Sequence, residues 1–250
     1  MQFAEQLPEE LKRRLAVARA QVEQDEVLPL RFRYIMSILA MFGPRWHVPD
    51  SEQESEGWKE AEGEVFAAPI RGWQRRAWNA LLCAEKVAPQ WDSQLIPIAA
   101  DLWRPEEIEG LHSTDLGQII QEGKFAVRNV LPSLIRYAVP FPEEQTVMDV
   151  ASSVGYRNRL LNRAAFTYRA VEYARWVVCH DEDHEFNMDE KYSLHWSGDW
   201  TGILSVDYSS SAFSIEIYDR EFVKDQKRLK EFWLWWIDEA VPASWFLRDL

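Results

Sequence analysis

Residues 70–91 read IRGWQRRAWNALLCAEKVAPQW, and this stretch decides the fold class of the chain. Its apolar positions recur at steps of three and four residues, which is the spacing of one helix face. We therefore predict a helix from about Ile70 to Val87. Its buried face is predicted to hold Trp73, Ala77, Leu81 and Ala84, widened by Trp78, and its exposed side to hold Arg71, Arg75, Arg76 and Lys86.

The end of this helix carries a motif that recurs along the chain. Proline lacks a backbone donor and clashes with the preceding helical turn, so each copy is predicted to end or bend a helix. The copies are unevenly spaced, which argues against a solenoid of regular repeats. They are Val27-Leu28-Pro29, Val87-Ala88-Pro89, Val130-Leu131-Pro132 and Ala240-Val241-Pro242.

Further helical patterns lie on both sides of this stretch. An amphipathic stripe within residues 8–28 is formed by Leu11, Leu15, Ala18 and Val22. Other helices are predicted in residues 30–42, in 115–137, from about 146 or 156 to 179, and in 224–241. The pattern that ends at Cys179 includes Leu160, Ala164, Tyr168, Val171, Trp176 and Val178, and the last helix turns Leu229, Phe232, Trp233, Trp236, Ile237 and Ala240 inward.

One segment alternates apolar and polar residues instead. Leu204–Tyr208 and Phe213–Tyr218 flank a serine-rich turn, which is a hairpin signal, with a short helix as the alternative. The predicted fold class is therefore mainly α: a single irregular α-helical bundle over residues 1–250, with room for one small β-hairpin near residues 203–218.

The composition indicates a globular cytoplasmic protein. A chain of 250 residues with 47% hydrophobic content can bury a proper core. The first residues lack the basic start and apolar run of a secretory signal, and the most apolar run, residues 34–42, is far shorter than the roughly 20 residues of a membrane span. Cys83 and Cys179 lie in separate apolar stretches, which favours reduced core thiols over a disulfide.

The charge is strongly acidic, with 41 Asp and Glu against 28 Lys and Arg. Phosphate backbones would be repelled, so direct nucleic-acid binding is disfavoured. Seven acids lie in residues 50–64 and six in residues 181–190, and we predict acidic loops at about 50–64 and 180–200. Such loops would steer a cationic partner; a purely solubilising role is the alternative.

Residues that could carry catalysis are few. His180 and His184 have the spacing of two metal ligands on one helix face, but they follow the apparent end of a helix and lack the Glu of an HExxH motif. The sequence has neither a GxSxG motif nor a glycine-rich phosphate loop. We assign no catalytic residue, no metal site and no cofactor, and keep a metal-dependent hydrolase using His180 and His184 as an alternative.

Eight of the 13 tryptophans fall into two groups. Trp73, Trp78, Trp233 and Trp236 lie on apolar helix faces, where core packing is expected. A second group, Trp46, Trp58, Trp196 and Trp200, lies in or beside the acidic stretches, and aromatics flanked by charges are typical of interface anchors. The predicted partner-binding residues are Glu54, Glu56, Trp58, Asp181, Glu182, Asp183, Glu185, Trp196, Asp199 and Trp200.

Two segments resemble a known family. Residues 71–91 are similar to the Arg- and Ala-rich segment ending in A-E-x-V-L-P-x-W of the helical immunity proteins of bacterial polymorphic toxin systems, immunity protein family five. Residues 228–242 resemble the closing R-x-E-F-W-x-W-x-x-x-E-A-(V/I)-P of related proteins. The acidic segment 50–64 and the predicted hairpin depart from that all-helical family.

The resemblance implies a cytoplasmic protein that binds and neutralises one cognate toxin domain without catalysis. Immunity proteins of this kind are commonly acidic when the toxin is basic, so the expected partner is a cationic toxin domain. A helical scaffold or regulatory protein with another protein partner is a further alternative.

Overall fold

The computed structural model describes residues 7–24, 32–43, 64–91, 115–130, 159–179, 201–218 and 221–250. These residues are mainly helical, which confirms the predicted fold class. The helices are α1 (Glu9–Gln24), α2 (Phe32–Leu39), α3 (Glu64–Val87), α4 (Leu116–Asn129), α5 (Arg159–Cys179), α6 (Thr201–Ser214), α7 (Gln226–Trp235) and α8 (Val241–Trp245). The strands β1 (Ile215–Tyr218) and β2 (Glu221–Lys224) form an antiparallel hairpin that pairs Ile215 with Lys224.

Helix α3 joins the two largest parts of the core. Between Gly72 and Ala84 all residues except Gln74 and Arg75 are buried, as expected of a helix that packs on several sides. Trp73 and Trp78 pack with side chains of α4 and α5. The α3 residue Cys83 belongs instead to the cluster built by α1, α2, α6 and α7.

The predicted apolar faces of the first and last helices are confirmed. The stripe of α1 and the six inward residues of the last helix are all buried. Asp225 caps α7 by accepting hydrogen bonds from the backbone N–H groups of Lys227 and Arg228, at 2.9 and 3.2 Å. An ion pair between Arg19 of α1 and Asp238, 2.5 Å long, ties these two helices together.

The proline motifs have different outcomes. Helix α3 ends at Val87, and Pro89 lies in the 3₁₀ turn Ala88–Gln90, as predicted. Pro242 does not end its helix, because α7 continues through a π-helical turn, Trp236–Ala240, into α8, where this proline lies in the first turn. Pro29 and Pro132 lie outside the described residues.

Three predictions are corrected by the structure. The predicted strand Leu204–Tyr208 lies within helix α6, and the hairpin begins only at Ile215. Trp176, which was placed in the apolar pattern of α5, is 42% exposed. Arg76, predicted on the exposed side of α3, is 8% exposed. Its guanidinium donates to the carbonyl of Gly43, which follows α2 and the 3₁₀ turn Ala40–Phe42.

Candidate partner-binding region

All ten predicted partner-binding residues lie outside the described residues. Glu54, Glu56 and Trp58 belong to residues 44–63, and the other seven belong to residues 180–200. His180 and His184 also lie in the second range, so the metal-ligand alternative remains a prediction. The described residues do include the four ends from which these two acidic stretches leave and rejoin the helices.

The two stretches leave the helices beside the same turn of α3. Arg76 donates from Nη1 to the carbonyl of Gly43, at 2.7 Å, and Gly43 directly precedes the first stretch. Trp73 donates from Nε1 to the carbonyl of Val177, at 3.0 Å, and Val177 lies two residues before the end of α5. Trp73 and Arg76 are about one helical turn apart, so two departure points more than 130 residues apart in sequence are bonded to the same turn of α3.

The points of return lie in the same part of the molecule. The second stretch rejoins at α6, where a Cβ built on Gly202 would lie 3.7 Å from Cγ2 of Val177. The first stretch rejoins at Glu64, the start of α3, about 14 Å along the helix axis from Trp73. Three of the four ends are therefore linked to the Trp73–Arg76 turn of α3, and the fourth is the N-terminal end of the same helix.

This part of α3 is cationic. Arg75 donates from Nη1 to the carbonyl of Phe42 at 3.0 Å and from Nε to the carbonyl of Trp245 at 3.2 Å, and its guanidinium carbon lies 3.4 Å from the centroid of the Trp245 ring. Burial, together with the neighbouring charge of Arg71, lowers the pKa of Arg75 to about 10, so it remains a cation at neutral pH.

This role of Arg75 and Arg76 was not predicted from the sequence. Both were assigned to an exposed face because arginine is rarely buried, whereas here they satisfy carbonyls at the ends of other helices. The available signal was their position between Trp73 and Trp78, within the apolar arc of the helix.

Most of the acidic residues lie outside the described residues. The described residues carry 16 Asp and Glu against 20 Lys and Arg, a surplus of four positive charges. The rest of the chain carries the remaining 25 acids against 8 bases, a surplus of 17 negative charges. The whole net charge of −13 therefore arises outside the described helices and strands.

The described residues offer little for metal or thiol chemistry. Within those seven ranges, no three His, Cys, Asp or Glu side chains are grouped so that they could hold a metal ion. Burial raises the pKa of the Cys83 thiol, which is fully enclosed, so this sulfur stays protonated and is a poor nucleophile. None of the described helices is both long and apolar enough to span a bilayer.

Comparison of the chain with family models, with curated proteins and with solved structures finds no match.

Proposed function

We propose that this protein is an immunity-type protein that binds a cationic toxin domain in the cytoplasm and neutralises it in a tight, non-catalytic complex. The observation that carries the proposal is the convergence of the ends of both acidic stretches on the Trp73–Arg76 turn of α3. Stretches that are remote in sequence thus start from positions bonded to one turn of α3, which supports a shared binding surface.

The segregation of charge supports the same function. A surplus of 17 negative charges outside the described residues would attract a basic domain from a distance. Electrostatic steering of this kind raises association rates by about 10- to 1000-fold and is weakened by salt. Trp58, Trp196 and Trp200 would then supply the desolvated anchors that set the dissociation rate.

The two segments that resemble the immunity family also meet in the structure. Trp236, in the closing segment, donates from Nε1 to Oδ1 of Asn79, in the Trp-rich helix, at 3.0 Å. Both side chains are buried. The two resembling segments therefore pack together as one structural unit, which supports a shared fold with that family.

The steering role is tested by neutralising acids in the second stretch. We expect the quadruple variant of Asp181, Glu182, Asp183 and Glu185 to Asn or Gln to bind a co-purifying basic partner about 3- to 10-fold more slowly at low salt. The measurement is the association rate by surface plasmon resonance at several salt concentrations.

The matched control makes the same change in net charge on the helices. Glu9, Glu23, Glu231 and Glu239 are all exposed, and their replacement by Gln also removes four negative charges. This control should change the association rate less than twofold. An equal decrease of the association rate in both variants would contradict a localised acidic surface. An unchanged association rate in the first variant would show that residues 181–185 are not part of the interface.

A further inference from the structure

The chain that leads into the first acidic stretch is held by two neighbouring arginines of α3. Arg75 donates from Nη1 to the carbonyl of Phe42 at 3.0 Å, and Arg76 donates from Nη1 to the carbonyl of Gly43 at 2.7 Å. Two consecutive carbonyls are thus bound by two consecutive side chains of one helix. Hydrogen bonds from a charged donor are roughly twice as strong as those between neutral groups, so this attachment is firm.

Apolar packing fixes Phe42 but cannot fix Gly43, which has no side chain. Phe42 is fully buried, and the centroid of its ring lies 6.2 Å from that of Trp245. Gly43 has a φ of 127°, in a region that glycine adopts readily and other residues rarely adopt. Because the glycine backbone is so permissive, the direction in which the chain leaves α2 depends on the group that binds the carbonyl of Gly43.

The two arginines are themselves fixed by the core. The guanidinium of Arg75 also donates from Nε to the carbonyl of Trp245 at 3.2 Å, and its Cζ lies 3.4 Å from the centroid of that ring. Arg76 is 8% exposed and lies between the fully buried Trp73 and Trp78 in sequence. The contact with Gly43 is therefore built on a rigid part of α3.

We propose that Arg76, supported by Arg75, is a positioning residue for partner binding, which fixes the direction in which the chain leaves Gly43 towards residues 44–63. This inference rests on the proposed function, in which that stretch binds the partner. Arg76 then contributes to affinity by preorganisation and not by touching the partner. A stretch that leaves in a wrong direction must be reordered on binding, which weakens affinity, mostly through a faster dissociation.

The variant Arg76→Met removes the guanidinium and keeps an apolar stem of similar length. We expect the order parameter of the Gly43 amide, measured by ¹⁵N relaxation in the full-length protein, to fall from about 0.85 to below about 0.6. The dissociation rate of the captured basic partner, measured by surface plasmon resonance, should rise about tenfold. Arg76→Lys keeps a cation and an N–H donor, so it should restore most of both values.

The matched control is Arg14→Met. Arg14 is half-buried, and its Nη1 donates to the carbonyl of Ser37, within α2, at 2.5 Å. This variant removes the same charge and the same kind of contact with α2, but it leaves Gly43 untouched. It should change the dissociation rate less than twofold and leave the order parameter of Gly43 unchanged.

The positioning role is overturned if Gly43 keeps its order parameter in Arg76→Met. It is also overturned if Arg14→Met raises the dissociation rate equally, since the effect would then be a general loss of stability. If the wild-type protein binds no basic partner, the proposed function fails, whereas the relaxation measurement still decides whether Arg76 fixes Gly43.

A second variant keeps the test decisive if Arg76→Met does not fold. Gly43→Ala retains both arginines but strains the backbone at a φ of 127°, so it redirects the chain at the same point. It should also raise the dissociation rate of the partner about tenfold, and an unchanged rate would contradict the positioning role.

Discussion

At the scale of single residues, Gly123 lets α4 approach α3 closely. A Cβ at this position would lie 2.7 Å from Cδ2 of Leu81, which is itself buried. Alanine normally gains up to about 1 kcal/mol over glycine in a helix, but overpacking a core costs about 1–3 kcal/mol. We therefore expect Gly123→Ala to lower the free energy of unfolding by about 1–2 kcal/mol, measured by urea denaturation.

The matched variant is Gly202→Ala, whose Cβ would meet Val177 at an ordinary 3.7 Å. It should leave stability unchanged or raise it by up to about 1 kcal/mol. Stabilisation by both substitutions would contradict the close approach of α3 and α4.

The pKa of the Glu10 carboxyl is lowered by two neighbouring arginines on the same helix. Hydrogen bonds from Arg13, at 2.7 and 2.8 Å, and from Arg14, at 2.8 Å, lower the pKa of Glu10 to about 2. Because the folded pKa lies below the ordinary value of 4.5, the stabilisation is present above pH 4.5 and is lost as the pH falls towards 2. An NMR titration of the Glu10 carboxyl carbon measures this directly, and a midpoint near 4.5 would contradict the contacts.

Arg76 shows why some residue-level predictions from sequence were wrong. Its burial depends on the carbonyl of Gly43, 33 positions away, and no local period encodes that contact. The apolar residues of α1, α3 and α7 were placed correctly because the spacing of a buried face is a local property of the helix.

At the scale of elements, a buried network of hydrogen bonds joins α3 to the π-helical turn and α8. Nδ2 of Asn79 donates to Oγ of Ser244 at 3.1 Å, Nε1 of Trp236 donates to Oδ1 of Asn79, and Oγ of Ser244 donates to the carbonyl of Ala240 at 2.6 Å. Asn79→Ala removes the shared partner and leaves a cavity. We expect it to reduce the free energy of unfolding by about 2–4 kcal/mol.

A double-mutant cycle that combines Asn79→Ala with Ser244→Ala measures the coupling between these two side chains. The single Ser244→Ala change should cost about 1–2 kcal/mol, and the double variant should lose less than the sum of the two. Additive losses in the free energy of unfolding of under about 0.5 kcal/mol each would show that these hydrogen bonds do not join the helices.

Helix α6 explains why the hairpin was predicted too early. Its serines imitate the polar positions of a half-buried strand, but all of them are buried, and the hydroxyls of Ser205, Ser210 and Ser214 bond to helix carbonyls. Ser214 donates to the carbonyl of Ser210 at 2.7 Å, and Ser205 donates to that of Ala170 on α5 at 2.8 Å. The sequence pattern cannot distinguish a serine facing solvent from one bonded to a neighbouring helix.

At the scale of the whole molecule, the described residues carry a surplus of positive charge, and the rest of the chain carries 25 of the 41 acids. The overall acidity and the two acidic clusters were evident from sequence. Their common origin beside Trp73 and Arg76 was not, because it depends on packing between α3, α5 and the end of α2. The ten predicted partner-binding residues remain predictions.

The most direct test of the proposed function is affinity capture of the tagged full-length protein from its native lysate, at low and at moderate salt, with mass-spectrometric identification. We predict one stoichiometric, basic polypeptide that arrests growth when it is expressed alone and is harmless when this protein is co-expressed. A stoichiometric partner that is harmless when expressed alone, or the absence of any basic partner at either salt concentration, would contradict the proposal.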